Sequence, residues 1–420
     1  MQILAIAISA VLAPQDNGSV TEDWRGFRGT RGTATTETPA VRRWSGDVNI
    51  AWKTELPGPG TSSPIVVGER VFVTSWSGYG LDLKDPGNPA QLRRHFLCVD
   101  AGSGEVLWTK QIEPVATEDT FDGRMANHGY ASSTPVSDGE RVFAFFGKSG
   151  VMAVDLAGEP LWHVDVGGSS SKWKTGSGSS PVLDAGVLFI NASDESESVI
   201  ALDTKTGEEL WRRTSPLLDQ AYGALAVTLG PDPVIALAYL GGIWGLDPKN
   251  GDFKWTVKTR TNGALAPTIL ASEDMLFSWG GQSGVKSHAV RLGGEGDVTE
   301  SHIAWSSRYG AYVPSPILFD GHLYWVDESG IAQCAQAETG ELVFRERLEG
   351  QFYSSVVRAG DAIYAVSREN GTYVFAAKPE FELLEHNVIR TDESRFDGSP
   401  AVSNGALYIR SRTALYRIGI

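Results

Sequence analysis

Residues able to hold a ligand gather in a few stretches of this 420-residue chain. Trp76, Tyr79, Arg93, Arg94 and His95 form the first. Asn127, His128 and Tyr130 form a second, and Lys172, Trp173 and Lys174 a third. Trp279 and Gln282 form a fourth. Aromatic rings interleaved with guanidinium, ammonium and imidazole groups suit a sugar, a quinone or a peptide. Structural duties compete for the same residues. His128 and Tyr130 can lock a loop, the Lys and Arg side chains can be solvated, and His95 directly precedes Phe96 in a strand.

No nucleophile constellation accompanies these groups. Gly176-Ser-Gly178 opens a strand and is not a strand-to-helix elbow. Gly293-Gly-Glu-Gly296 belongs to an outer hairpin, not to a phosphate-binding turn. The seven His are scattered, and Cys98 and Cys334 stand 236 residues apart with no CxxC. No metal site is therefore expected. Each Cys lies in an apolar strand-like run, which reads as a buried thiol, although a long-range disulfide is also open.

The elements that position these groups must be tight and turn-rich. Glycine numbers 48 and tryptophan 13, against only 4 methionines. That profile argues for many turns and aromatic packing and against long helices. A net charge of -15 disfavours nucleic acid as a partner, because phosphate binding needs a basic stripe. No apolar stretch has the ~18 residues that a membrane-spanning helix needs. The opening run Ile3–Ala13 reads as an export leader ending in Val-Leu-Ala, with a buried first strand as the alternative. No Cys follows at the place a lipoprotein anchor would need.

One pattern recurs along the chain: a small residue, Asp, a short turn ending in Gly, then Trp. It runs from Cys98 to Trp108, Ala201 to Trp211 and Gly245 to Trp255, with a shortened copy to Trp162 and a decayed copy to Phe344. Trp305 follows an altered turn. The aromatic position returns every 39 to 54 residues, the period of four-stranded propeller blades. Upstream lie eight small-residue seeds: Ser62-Ser-Pro64, Ser133-Thr-Pro135, Ser179-Ser-Pro181, Gly223–Ala226, Leu265-Ala-Pro267, Val313–Pro316, Tyr353–Ser355 and Gly398-Ser-Pro400. A short β-run follows each seed by about ten residues. Small residues let inner strands converge on an axis, and Pro is tolerated at a strand start. Asp and Gly supply the hairpin chemistry of the outer turn. Trp52, Trp108, Trp162, Trp211, Trp255 and Trp305 are expected to dock between neighbouring blades.

The last unit stops one strand short, and Asn49–Leu56 is an orphan strand carrying Trp52. The expected fold is thus all-β: an eight-bladed β-propeller of four antiparallel strands per blade, its last blade closed by the N-terminal strand. The propeller occupies residues 45–420. An extended segment, 14–44, precedes it, with the aromatics of Trp24–Gly29 packed on the ring's side. The leader is 1–13. Long connections after second and fourth strands fall on one face, where binding tends to reside.

The unit at Ala201–Trp211 resembles the repeat of quinoprotein dehydrogenases, and the chain is identified as a member of the pyrroloquinoline-quinone-like propeller superfamily. The resemblance covers nearly everything after residue 45. It is also similar in fold to the propeller lipoprotein of the outer-membrane barrel assembly machine, a non-enzymatic scaffold. Quinone enzymes of the superfamily carry adjacent cysteines and a Glu/Asn/Asp calcium set. This chain has no Cys-Cys pair and no such set, so neither pyrroloquinoline quinone nor calcium is expected. The resemblance and the residues together favour an exported, monomeric, non-catalytic scaffold that engages protein, peptide or glycan through the long-loop face. A quinone-dependent oxidoreductase and a polysaccharide-acting enzyme are the alternatives.

Overall fold

The computed structural model describes residues 22–46, 48–219, 221–228, 232–263 and 265–419. The expected leader lies outside the described residues. Eight small antiparallel sheets form an eight-bladed propeller, and the helices among the described residues are single turns such as Met125–His128. Blade 1 comprises Ile65–Val67, Arg70–Ser77, Arg93–Asp100 and Val106–Ile112. The inner strands of blades 2 to 8 begin at Val136, Val182, Ala226, Leu270, Ile317, Val357 and Ala401. All eight seeds therefore feed an inner strand.

Closure occurs as the orphan strand predicts. Ile50–Glu55 pairs antiparallel with Ala414–Ile418, with Trp52 opposite Arg417 and Glu55 opposite Ala414. The two tails thus share one sheet, and the last blade gains its fourth, outer strand from the N-terminal segment.

The repeated Trp residues dock through one geometry. Each indole Nε1 donates to the carbonyl just after the Asp position of the next blade's turn. Trp52 reaches Ala101 (3.0 Å), Trp108 Leu156 (3.2 Å), Trp162 Thr204 (3.1 Å), Trp211 Pro248 (2.9 Å) and Trp305 Ala337 (2.9 Å). The ring then covers the turn glycine. At Gly207, φ is +75° and an added Cβ would lie 2.8 Å from the Trp162 ring. In the blade 1 to 4 turns an Asp closes the turn from inside, and Gln336 takes that place in blade 6. Asp203 accepts from the Lys205 and Thr206 amides and the Thr206 hydroxyl, which hold its carboxyl below the usual range.

Trp255 also docks between blades, packing with Leu276, Val290 and Val298 of blade 5, but it makes no such bond among the described residues. Its ring lies over Gly245 of its own blade, because Gly296–Asp297 adds a parallel strand beside Trp255–Thr256 where the next turn would stand. The segment Trp24–Gly29 packs across the end of the ring, not on its side. Trp24 bridges Val66 of blade 1, the Ser137 amide of blade 2 donates to Arg25, Arg28 donates to the Pro316 carbonyl, and Thr35–Thr36 pairs with Arg358–Ala359 of blade 7. The segment spans the channel because unpaired inner-strand groups at that end offer it partners. Cys98 and Cys334 are buried free thiols in different blades.

Candidate functional site

Where the inner strands converge, the seeds do more than save space. The backbone amide of one blade donates to a hydroxyl of the next: Ser63 to Thr134 (2.9 Å), Thr134 to Ser180 (3.0 Å), Thr268 to Ser315, Ser315 to Ser355 (each 3.0 Å), Ser355 to Ser399 (2.9 Å), and Ser399 back to Ser63 (3.0 Å). Ala224 of blade 4 has no hydroxyl, so the collar is interrupted there. These amides precede their strands and have no ladder partner, so a hydroxyl from the adjoining blade satisfies them.

The collar encircles a cavity of about 200 Å³. Phe27 of the crossing segment bounds one end. Arg124, Asn127 and His128 bound the other, on the long-loop face, and Tyr222, Tyr312 and Tyr353 supply aromatic wall. Asp397 is the one carboxylate in the lining among the described residues. It is held by Arg368 (2.6 Å) and Arg412 (3.1 Å), and Arg412 also donates to the Asn127 carbonyl.

The mouth is built by the single helical turn Met125–His128. His128 places Nδ1 2.7 Å from Ser132 Oγ and Nε2 2.7 Å from the Thr175 carbonyl. Burial lowers its pKa, so the imidazole is neutral and Nε2 carries the proton toward Thr175. Arg124 begins the turn. Its guanidinium makes no hydrogen bond or ion pair with any described residue, and its Nη1 is buried. It lies 5.7 Å from the Trp173 ring, with Lys172 5.5 Å from the same ring. Trp173 itself is 53% exposed.

Beneath the loops lies a buried ionic cluster. Arg94 pairs with Glu118 (2.8 Å) and Lys148 with Asp119 (3.0 Å), while Asp194 accepts from the Ser171 amide (3.0 Å). Burial, then the charge of Asp194, pushes the Glu195 carboxyl up to about 8, so it is mainly protonated at neutral pH. These contacts tie the 113–129 connection to the 167–176 crossing and make the mouth rigid.

The predicted residues divide accordingly. Asn127 and His128 line the cavity, and Lys172, Trp173 and Lys174 stand on the loop beside it. Arg93 pairs with Glu113 (2.9 Å) away from the cavity, and Gln282 is exposed on a blade 5 loop. Trp76, Tyr79 and Tyr130 are buried with Phe121 and Met125, and Trp279 is buried against Trp325 and Trp305. As ligand contacts these four are corrected, because the long insertions carry aromatics to pack their own small cores. Arg94 is buried rather than solvated. His95 is structural, with Nε2 2.8 Å from Ser77 Oγ. Arg124, Asp397, Phe27 and the collar hydroxyls were missed. The Ser or Thr recurring in six of the eight seeds was the available signal for the collar.

A collar of small residues inside eight four-stranded blades, five of them fastened by a Trp to the next blade's turn, defines a quinoprotein-type propeller. A family model described as outer membrane protein assembly factor BamB matches residues 22–170, 93–346 and 288–380. The chain belongs to that family. It is 22% identical over 392 residues to BamB of Burkholderia pseudomallei, spanning 86% of this chain and 85% of that protein. Among solved structures, BamB from Moraxella catarrhalis superposes with a TM-score of 0.60 at 13% identity, covering 88% of this chain and 97% of the other. The quinohemoprotein alcohol dehydrogenase of Comamonas testosteroni gives 0.63 at 11% identity, covering 96% and 81%. At these identities both structures share the fold alone.

Proposed function

We propose that this protein is an exported, non-catalytic scaffold that holds a protein partner against the long-loop face of its ring. The observation that carries this reading is Trp173, a half-exposed indole at the channel mouth flanked by Arg124 and Lys172. An exposed aromatic beside cations on a rigid rim is the composition of an interface anchor. Leu217, 52% exposed, stands on the neighbouring turn, which Asp219 ties to the Lys172 amide (3.2 Å). Membership of a family named for outer membrane protein assembly supports both export and a protein partner. Among the described residues, no helix is long and apolar enough to cross a membrane.

The lining residues do not fit a quinone with calcium. Asp397 already serves two arginines, and a calcium ion would have to displace both of them. Cys98 and Cys334 lie inside blades 1 and 6, so they cannot form a disulfide over the cavity. Blade architecture alone therefore does not carry the dehydrogenase reading.

Photo-crosslinking in cells tests the proposal. A crosslinking side chain in place of Trp173 should trap a protein partner, whereas one in place of Leu161, on the exposed outer strand of blade 2, should not. Adducts from the outer strand alone would overturn the assignment of the face. Saturable dye reduction with an alcohol, after adding the quinone and calcium, would overturn the non-catalytic reading.

A further inference from the structure

Guanidinium groups gather around the cavity, and Arg124 is the one that lines it. Arg28, Arg124 and Arg410 have no carboxylate partner among the described residues. Arg368 and Arg412 share one, Asp397. Arg28 lies under the floor beside Phe27, with Nε donating to the Gly32 carbonyl (3.1 Å). Arg410 lies behind the collar, with Nη1 donating to Ser62 Oγ (3.0 Å) and the Thr74 carbonyl (2.6 Å). One guanidinium nitrogen of each of Arg28, Arg124, Arg368 and Arg410 is buried without a hydrogen-bond partner. Burial lowers the pKa of Arg28 and of Arg410 to about 9. Uncompensated buried cations are costly, and a nearby anion offsets that cost. Arg28, Arg368, Arg410 and Arg412 stand behind the lining, and the acidic cluster Glu118, Asp119, Asp194 and Glu195 lines a separate small void, so Arg124 is the cation that faces the cavity.

The hydroxyl collar has the same polarity. Each of the six collar oxygens accepts an amide, and none donates to an acceptor among the described residues. Six O–H donors thus remain uncommitted around the neck. Thr268 Oγ1 has no partner at all. A ligand complementary to this lining is rich in acceptors, negatively charged and small. Phe27 and the three tyrosines require an apolar body behind the charge.

We infer that the channel mouth binds the carboxylate of a ligand with an apolar body, with Arg124 and the collar hydroxyls as its donors and the tyrosine wall around the body. The inference goes beyond the scaffold reading, because it holds whether the carboxylate belongs to a free molecule or to the C-terminus of a polypeptide. Phe27 bounds the end away from Arg124, so the apolar side chain of a C-terminal residue fits inside while its carboxylate stays at the mouth.

Calorimetric titration of the full chain tests this with four probes: benzoate, benzyl alcohol, acetyl-Gly-Ser-Phe as the free acid, and the same peptide as its amide. Each acid should bind at least tenfold more tightly than its neutral counterpart. Binding by benzoate assigns a free molecule, and binding by the peptide acid alone assigns a chain end. Either supports a carboxylate site. Arg124→Met should weaken the acid at least tenfold. Because Arg124 makes no hydrogen bond among the described residues and its buried Nη1 is uncompensated, the melting midpoint should not fall. Equal affinity for acid and neutral probes, no binding by either acid, or unchanged affinity in Arg124→Met would overturn the inference. Tighter binding of inorganic phosphate than of either acid would also overturn it. A crosslink at position 173 remains independent of every one of these results.

Discussion

Replacing Gly207 by Ala separates two costs that the docking geometry combines. Gly207 has φ +75°, and a Cβ there would press within 2.8 Å of the Trp162 ring. Gly321, in the inner hairpin of blade 6, has φ +71° with nothing within 4 Å of its added Cβ. The two sites match in backbone and differ in contact. Left-handed backbone costs an L-residue about 1–2 kcal/mol at either site. Only Gly207→Ala also displaces the indole that donates to Thr204, which adds about 1–3 kcal/mol as overpacking. Urea unfolding of both variants should therefore show the lower midpoint for Gly207→Ala, separated by the packing term alone. Equal midpoints would refute the claim that the indole-on-glycine contact fastens one blade to the next.

Other outcomes follow from buried charge and burial. Glu195 keeps its proton in the native state to about pH 8, whereas the unfolded chain releases it near 4.5. Across that window the unfolded state binds fewer protons, so this group makes stability fall as pH rises. Glu195→Gln should match the wild type near pH 4.5 and exceed it at pH 8 in thermal melts. Parallel pH profiles would contradict the buried protonated carboxyl. Asp397→Asn leaves Arg368 and Arg412 without their counter-charge and should cost about 3–5 kcal/mol in denaturant unfolding. A loss below about 1 kcal/mol, the range of exposed ion pairs, would show that the pair is solvated. Burial pushes the Cys98 and Cys334 thiols up to about 12, so neither should react with a thiol reagent until the protein unfolds. Labelling of the native chain would argue against these blade cores.

The ring was legible because its construction is local and repeated. Asp, Gly and Trp act at fixed spacing within one turn and the strand after it. The orphan strand carrying Trp52 and the last blade, one strand short beside Ala414–Ile418, are complementary deficits that closure satisfies. The site was less legible because its members are not repeats. Arg124, Tyr312 and Asp397 come from unrelated connections, and only the circular topology brings them to one mouth. Trp76, Tyr79 and Tyr130 misled for a related reason. An aromatic in a long insertion looks exposed until the insertion packs on itself, as the cluster with Phe121 does. The collar was hidden by alignment on Pro. In blade 5 Pro267 precedes the collar residue Thr268, whereas Pro64 follows Ser63 in blade 1. Trp255 shows the limit of the repeat itself: an inserted strand took the place of its docking turn.

A crystal structure of the full chain grown with benzoate examines ring and site together. The expected structure has Ile50–Glu55 hydrogen-bonded along Ala414–Ile418 and a carboxylate seated between Arg124 and the collar hydroxyls. A cavity in which Arg124 is paired to a carboxylate of the chain itself, with benzoate absent or bound elsewhere, would contradict it.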